Sequence, residues 1–278
     1  MRRPDLHLHT TASDGIFSPA QLVQRLQRAD VTLFSITDHD TMGGLEAAEE
    51  AALLRGLAFL PGVEISTEGE AEVHILGYGV ARDDAVLLSF FEQMAKDRIG
   101  RILAMGDKLK RMGFSLDLER IMASAGGSIG RPHLARALVA GGYVKTVSEA
   151  FDRYLGDGKP AYVPREKMAA SYAISLLKSR GAVPVLAHPG LIQWPMERIL
   201  PLLKAWQEAG LMGLEVYHPS NRGDYAKWDR LARQQGLLVT GGSDFHDEDP
   251  RHGQLGETVQ AWESACEDAW ALYRIAHR

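Results

Sequence analysis

Seven short, mostly apolar runs recur along the chain: DLHLH (5–9), TLFSITDHD (32–40), AFLPGVEIS (58–66), EVHILGYGV (72–80), AVPVLAHPG (182–190), MGLEVYHPS (212–220) and LLVTGGSDFH (237–246). Most are apolar on both faces, the pattern of parallel strands buried between layers. Helical periodicity fills the stretches between them. SPAQLVQRLQRAD offers Ser18 as N-cap and Pro19 as first helical residue. Four more helical segments end at Gly56, Gly181, Gly210 and Gly236, and a glycine just past a helix is a C-cap signal. Strands alternating with helices predict an α/β fold, either a β/α barrel or a doubly wound sheet.

One block breaks this alternation. Residues 86–167 carry helical patterns and little strand: LLSFFEQMAKDRIGRILAMGDKLKRMG is long and amphipathic, and RPHLARALVAGG and SEAFDRYLG follow. The charge changes with the pattern. The block holds 14 Lys+Arg against 9 Asp+Glu, and the remainder 17 against 27, so a block of +5 sits in a body of −10. This predicts a basic helical insert, 86–167, over an acidic body made of 1–85 and 168–278.

Composition narrows the class. With 278 residues and 45% hydrophobic content, the chain can bury one large core, or one core and a smaller insert. No apolar run approaches a membrane span, and MRRPDLHLHT has no signal-peptide core, so a cytoplasmic protein is expected. The single cysteine, Cys266, excludes an intrachain disulfide framework. A net charge of −5 argues against coating long nucleic acid, and no duplex DNA partner is expected.

The candidate chemistry lies where the apolar runs stop. In DLHLHTTASDG, alternation along a strand points His7 and His9 to one face and Leu6 and Leu8 to the other. His39 ends LFSITDH, Glu64 ends AFLPGVE, His188 ends VPVLAH, and His218 ends LEVYH. Asp244 and His246 end VTGGSDFH, and His74 sits in EVHILGYG. Any one of these alone reads more readily as a helix cap, a hydrogen-bonded surface residue or a satisfied core group than as a ligand, and Asp38 and Asp40 as N-caps. Ligand-type residues at six strand ends have one explanation in common, a polynuclear metal site with imidazole and carboxylate ligands.

The segments HLHTTASDG, ITDHDT, GVEIS, HILGYG, AHPG and GSDFH, in this order, resemble the PHP (polymerase and histidinol phosphatase) family, itself similar to the amidohydrolases. The resemblance implies a distorted seven-stranded (β/α)7 barrel with an inserted small helical domain. It also implies two to three divalent metals at the barrel mouth, Mn²⁺ foremost, with Fe²⁺ or Zn²⁺ as alternatives. Carried onto this chain, His7, His9, Glu64 and Asp244 hold the first ion. Glu64 shares the second with His74 and His188, and Asp14, His39 and His246 hold the third. Many relatives use histidine where this chain has Asp14.

The insert, with GGSIGRPHLARALV and YLGDGKPAYVP, resembles a subgroup acting on nucleoside 3′,5′-bisphosphates and on the 5′ ends of short RNA. The expected reaction is hydrolysis of the 3′-phosphate to an AMP-like product, by a water activated between two ions held by Glu64 and Asp244. His218 is a candidate proton donor or phosphate ligand. Arg131 and His133, opening a helix after the loop that contains Ser128, are candidates for a phosphate seat, with Lys159 and Arg222 behind them. The alternatives are a 5′-3′ exoribonuclease, a histidinol-phosphate phosphatase and a non-catalytic metal-bound module.

Overall fold

The computed structural model describes residues 3–68, 72–124, 129–164, 168–192, 194–248, 253–256 and 266–276. Among these, β1 (Pro4–Asp5), β2 (Leu33–Phe34) and β3 (Ala58–Phe59) form a parallel sheet in that order. A second, mixed sheet runs β4 (Gly62–Glu68), β5 (Glu72–Tyr78), β6 (Val183–Leu186), β7 (Gly213–Tyr217) and β8 (Leu238–Gly241). In it β4–β5 and β5–β6 are antiparallel, while β6–β7 and β7–β8 are parallel.

The expected seven-stranded barrel is therefore wrong: eight strands in a sheet of three and a sheet of five replace it among the described residues. Two physical causes account for the difference. The run 58–66 splits into β3 and β4 around Pro61, whose ring nitrogen has no proton to give to a ladder. Only residues 69–71 separate β4 from β5, too few for a parallel crossover, so that pair must be antiparallel. Isolated parallel bridges, Leu8 to Phe245 and His39 to Glu64, connect residues of the two sheets beyond their ladders.

The helices follow their local signals closely. Ser18 caps α1 (Pro19–Arg28), accepting from the Gln21 amide at 3.4 Å while the Gln21 side chain accepts from the Ser18 amide at 3.0 Å. α2 (Leu45–Arg55) ends on Gly56 at φ 65°. The long amphipathic pattern is one helix, α3 (Ala85–Arg111), capped by Asp84. α4 (Leu118–Ser124), α5 (Arg131–Ala140) and α6 (Val147–Ala150) follow, α6 running on into a wide turn at Phe151–Leu155. α7 (Ala170–Ser179), α8 (Met196–Ala209), α9 (Tyr225–Gln234) and α10 (Cys266–Ala276) follow among the described residues.

Two apolar clusters form. The larger gathers Leu6, Leu8, Phe34, Val63, Ile75, Val185, Leu214 and Val239 from the sheets with the inner faces of the surrounding helices. The smaller joins Ile102, Met105 and Leu109 of α3 to Leu134 and Leu138 of α5 and to Leu155. The first half of α3, through Leu87, Phe91 and Met94, belongs to the larger cluster. No helix of the described residues is long and apolar enough to cross a membrane.

Candidate metal centre

The alternation read from DLHLH survives although β1 itself is only two residues long. Leu6 and Leu8 are fully buried in the core, and the His7 and His9 rings lie 5.1 Å apart, centroid to centroid. Around them the segments that follow the strands deliver the other candidates. Asp14 comes from the loop after His9, His39 from the end of the β2 run, Glu64 from β4 and His74 from β5. His188, His218, Asp244 and His246 follow β6, β7 and β8.

Glu64 stands at the centre, with no solvent exposure. Its Oε2 lies 3.2 Å from His7 Nε2, 3.3 Å from His9 Nε2 and 3.0 Å from His39 Nδ1. Its Oε1 lies 2.9 Å from His74 Nδ1 and 3.0 Å from His188 Nε2. Asp244 Oδ1 is 3.3 Å from His7 Nε2 and 3.1 Å from His9 Nε2, and Asp14 Oδ1 is 3.3 Å from His246 Nε2. Burial alone would raise the Glu64 carboxyl, but the imidazoles of His39, His7 and His74 outweigh it and hold it well below the usual carboxylate range. Burial likewise opposes the charge on His9, yet Asp244 and Glu64 prevail and push its pKa up to about 10.

The arrangement fits cations better than it fits itself. His7 Nε2, both ring nitrogens of His9, Asp14 Oδ1, His39 Nδ1, Glu64 Oε2 and Asp244 Oδ1 are buried and make no hydrogen bond. Such atoms at 3.0–3.3 Å from one another point past each other toward shared points. Among the described residues, four overlapping groups could each hold an ion: His9–Asp14–His39–His246, His7–His218–Asp244, His7–His9–Glu64 and His39–Glu64–His74. Nitrogen and carboxylate donors with no thiolate suit divalent metals. Among the described residues, three of the four non-glycine positions at positive φ, namely Asp40, His188 and Asp244, lie in or beside this cluster.

The sequence model of the PHP domain matches residues 5–216. The chain belongs to the PHP family. A 3′,5′-nucleoside bisphosphate phosphatase of Chromobacterium violaceum is 35% identical over 250 residues, 88% of each chain. The 5′-3′ exoribonuclease Rnm of Escherichia coli is 35% identical over 254 residues, 88% of this chain and 86% of the relative. Among solved structures, an amidohydrolase from Chromobacterium violaceum with bound sulfate superposes with a TM-score of 0.85 at 34% identity, covering 91% of this chain and 90% of that one.

The nine sequence-derived ligand candidates of this PHP chain all converge, but in groups that differ from the expected ones: Asp244 is grouped apart from His9 and Glu64, His9 joins Asp14, His39 and His246, and His39 also joins Glu64 and His74. His188 touches Glu64 but enters none of the four groups, and His218 enters one, beside His7 and Asp244. Asp38 is not an N-cap. It accepts from the Thr10 amide and hydroxyl, each at 2.7 Å, and from Ser13 Oγ at 2.5 Å, bracing the loop that carries Asp14.

The candidates for phosphate binding separate. Arg131 lines a cavity of about 190 Å³ together with Asp14, His39 and His74 of the cluster and with Arg98 and Arg101 of α3. Arg222 lines a second cavity of about 750 Å³ that opens beside Asp14, His218, Asp244 and His246. His133 turns elsewhere: its Nδ1 accepts from the Gly130 amide at 3.1 Å, and the residue lines a different cavity with Ser13 and Arg136. Lys159 is exposed and lines neither cavity. Ser128, His252 and His277 lie outside the described residues.

Sequence reading missed Arg98, which pairs with Asp40 and bonds Ser66 Oγ at 3.0 Å. It also missed Arg101, Arg136 and Glu215. The signal for Glu215 was present: one carboxylate inside the apolar run MGLEVY.

Proposed function

We propose that this chain is a metal-dependent phosphoesterase that removes the 3′-phosphate of nucleoside 3′,5′-bisphosphates, leaving the 5′-monophosphate. The observation that carries this reading is the cavity shared by Arg98, Arg101 and Arg131 with Asp14, His39 and His74. A cation-lined pocket against a metal-type cluster suits a substrate with two phosphates, one reacting and one held at a distance. The similarity to the bisphosphate phosphatase supports it.

His7, His9, Glu64, His74, His188, Asp244, Asp14, His39 and His246 would hold two to three divalent ions, Mn²⁺ foremost, with Fe²⁺ or Zn²⁺ as alternatives. A bound ion supplies Lewis acidity there, drawing charge from phosphoryl oxygens and acidifying water. The arginines hold the distal phosphate and turn the reacting ester toward the cluster. His218 is placed to donate a hydrogen bond. Its Nδ1 accepts from the Ser220 amide at 3.1 Å, which leaves the single ring proton on Nε2, 3.2 Å from Asp244 Oδ2. A nitrogen that keeps its proton donates rather than ligates, so His218 would offer a hydrogen bond to a phosphoryl or leaving oxygen. The helical block 86–167, through Arg98, Arg101 and Arg131, is the substrate-binding insert.

One observation favours a second reading, a 5′-3′ exoribonuclease. The larger cavity, lined by Arg136, Arg222, Leu191 and Pro219, has room beside Asp244 for a further nucleotide. The deciding measurement is kcat/KM on adenosine 3′,5′-bisphosphate, 3′-AMP, 5′-AMP and a short 5′-phosphorylated RNA, with Mn²⁺-loaded wild type and Arg131→Ala. The bisphosphate should be preferred over 3′-AMP by about 2–4 kcal/mol of transition-state stabilisation. Arg131→Ala should erase most of that preference and leave 3′-AMP nearly untouched. Equal cleavage of 3′-AMP and the bisphosphate by wild type overturns the two-phosphate reading, and a preference for RNA turns it to the nuclease.

A further inference from the structure

Glu215 is a carboxylate with no solvent exposure in the middle of β7, a strand whose every residue is buried. A carboxylate in such a place is costly unless its oxygens are occupied. Both are. Oε1 lies 2.9 Å from His7 Nδ1, and Oε2 accepts the main-chain amide of His188 at 2.7 Å. Glu215 enters none of the four groups that could hold an ion.

We infer that Glu215 is a positioning residue that sets two cluster histidines at once, the ring of His7 and the backbone turn of His188. This rests on reading the cluster as a metal site. An ionised carboxylate only accepts hydrogen bonds, so the proton of His7 sits on Nδ1. Nε2, 3.2 Å from Glu64 Oε2 and 3.3 Å from Asp244 Oδ1, is then the nitrogen left to face a cation. This is the opposite ring state from that of His218, whose Nδ1 accepts. The two histidines take different roles because their outer nitrogens meet different partners.

His188 needs a different kind of help. Its backbone stands at φ 27°, which a residue with a Cβ adopts only when neighbours hold it there. Glu215 Oε2 takes its amide, and Asn221 Oδ1 takes the amide of Gly190 at 2.7 Å. The His188 ring thereby reaches Glu64 Oε1 at 3.0 Å.

Glutamine is the revealing substitution, since it keeps the shape but has one acceptor oxygen instead of two. If that oxygen stays with His188, the amide group donates to His7 Nδ1, the ring proton moves to Nε2, and the lone pair turns away from the cluster. If it stays with His7, the amide group faces the His188 amide, donor to donor, and the strained turn loses its restraint.

The test loads wild type and Glu215→Gln with Zn²⁺ or Mn²⁺, measures ions per chain and dissociation constants, and follows thermal unfolding of both proteins in chelator. The variant should unfold cooperatively near wild type but bind at least one ion about 10–100-fold more weakly. Nitrogen-15 NMR of Zn²⁺-loaded wild type should show the His7 proton on Nδ1 and the metal on Nε2. Unchanged ion binding in the variant overturns the inference, as does a His7 proton on Nε2 in wild type, which requires no variant to fold. Failure of wild type to bind any ion overturns instead the metal reading on which the inference rests.

Discussion

The guanidinium of Arg136 on α5 donates to the main-chain oxygen of Asp14 at 2.6 Å. A helix of the basic block thus grips the loop that offers a carboxylate to the cluster. His133, one turn earlier on the same helix, lines a cavity with the neighbouring Ser13. Arg136→Ala should remove about 1.5–3 kcal/mol of charge-assisted hydrogen bonding and loosen that loop. The expected results are a lower unfolding temperature and weaker binding of the ion held with Asp14 and His246. A variant equal to wild type in both measurements contradicts the link.

Glu64→Ala should lose more than one ion per chain, because five imidazoles surround that carboxylate and two of the four candidate groups include it. Elemental analysis of desalted protein decides this. Loss of a single ion would show that Glu64 does not bridge.

Ion affinity should rise with pH. In the metal-free cluster His9 keeps its proton up to about pH 10, since Asp244 and Glu64 outweigh the burial that opposes it. A cation must displace that proton, so each unit of acidification between pH 9 and pH 6 should weaken binding by up to about tenfold per proton released. The stability linkage has the opposite sign. A histidine raised from 6.5 to about 10 contributes stability that is complete below pH 6.5 and lost as pH climbs through 10. Competition with a chelator at several pH values tests the first statement, and unfolding in chelator tests the second. Affinity that does not change with pH contradicts the proton displacement.

Gly242→Ala should destabilise the protein and disturb His7. An added methyl at Gly242 would fall 2.3 Å from the His7 amide nitrogen and 2.4 Å from its Cβ, both on the chain that carries the ligand. The cost should be about 1–3 kcal/mol. Gly100, in α3, has open space around the same position, and Gly100→Ala should stabilise by about 0.5–1 kcal/mol through helix propensity. Denaturant titration of both variants checks the contrast.

The helix ends were legible because their signals are local: Ser18 with Gln21, and the glycines after α2, α7, α8 and α9, need no tertiary partner to act. The ligand candidates were legible for a different reason, since each breaks an apolar run at its end. The sheet was less so. Apolar runs do not encode direction, and the antiparallel pairs of β5 follow from a short link on one side and a helical excursion on the other. Arg98 and Arg101 look in sequence like the wet face of any amphipathic helix, and only the packing of α3 turns them toward His39 and His74. Asp38 looks like a cap, and only the return of Thr10 and Ser13 makes it a brace.

The convergence of five imidazoles on Glu64 has a consequence for how substitutions combine. Replacing His7 and His74 separately removes two contacts to one carboxylate, and each loss shifts the field felt by the other. Their effects therefore do not sum. Once Glu64 is gone, a second replacement among the five has little left to remove. Added together, the costs measured singly at such a hub exceed the cost of losing it whole, and the excess is the free energy its members share.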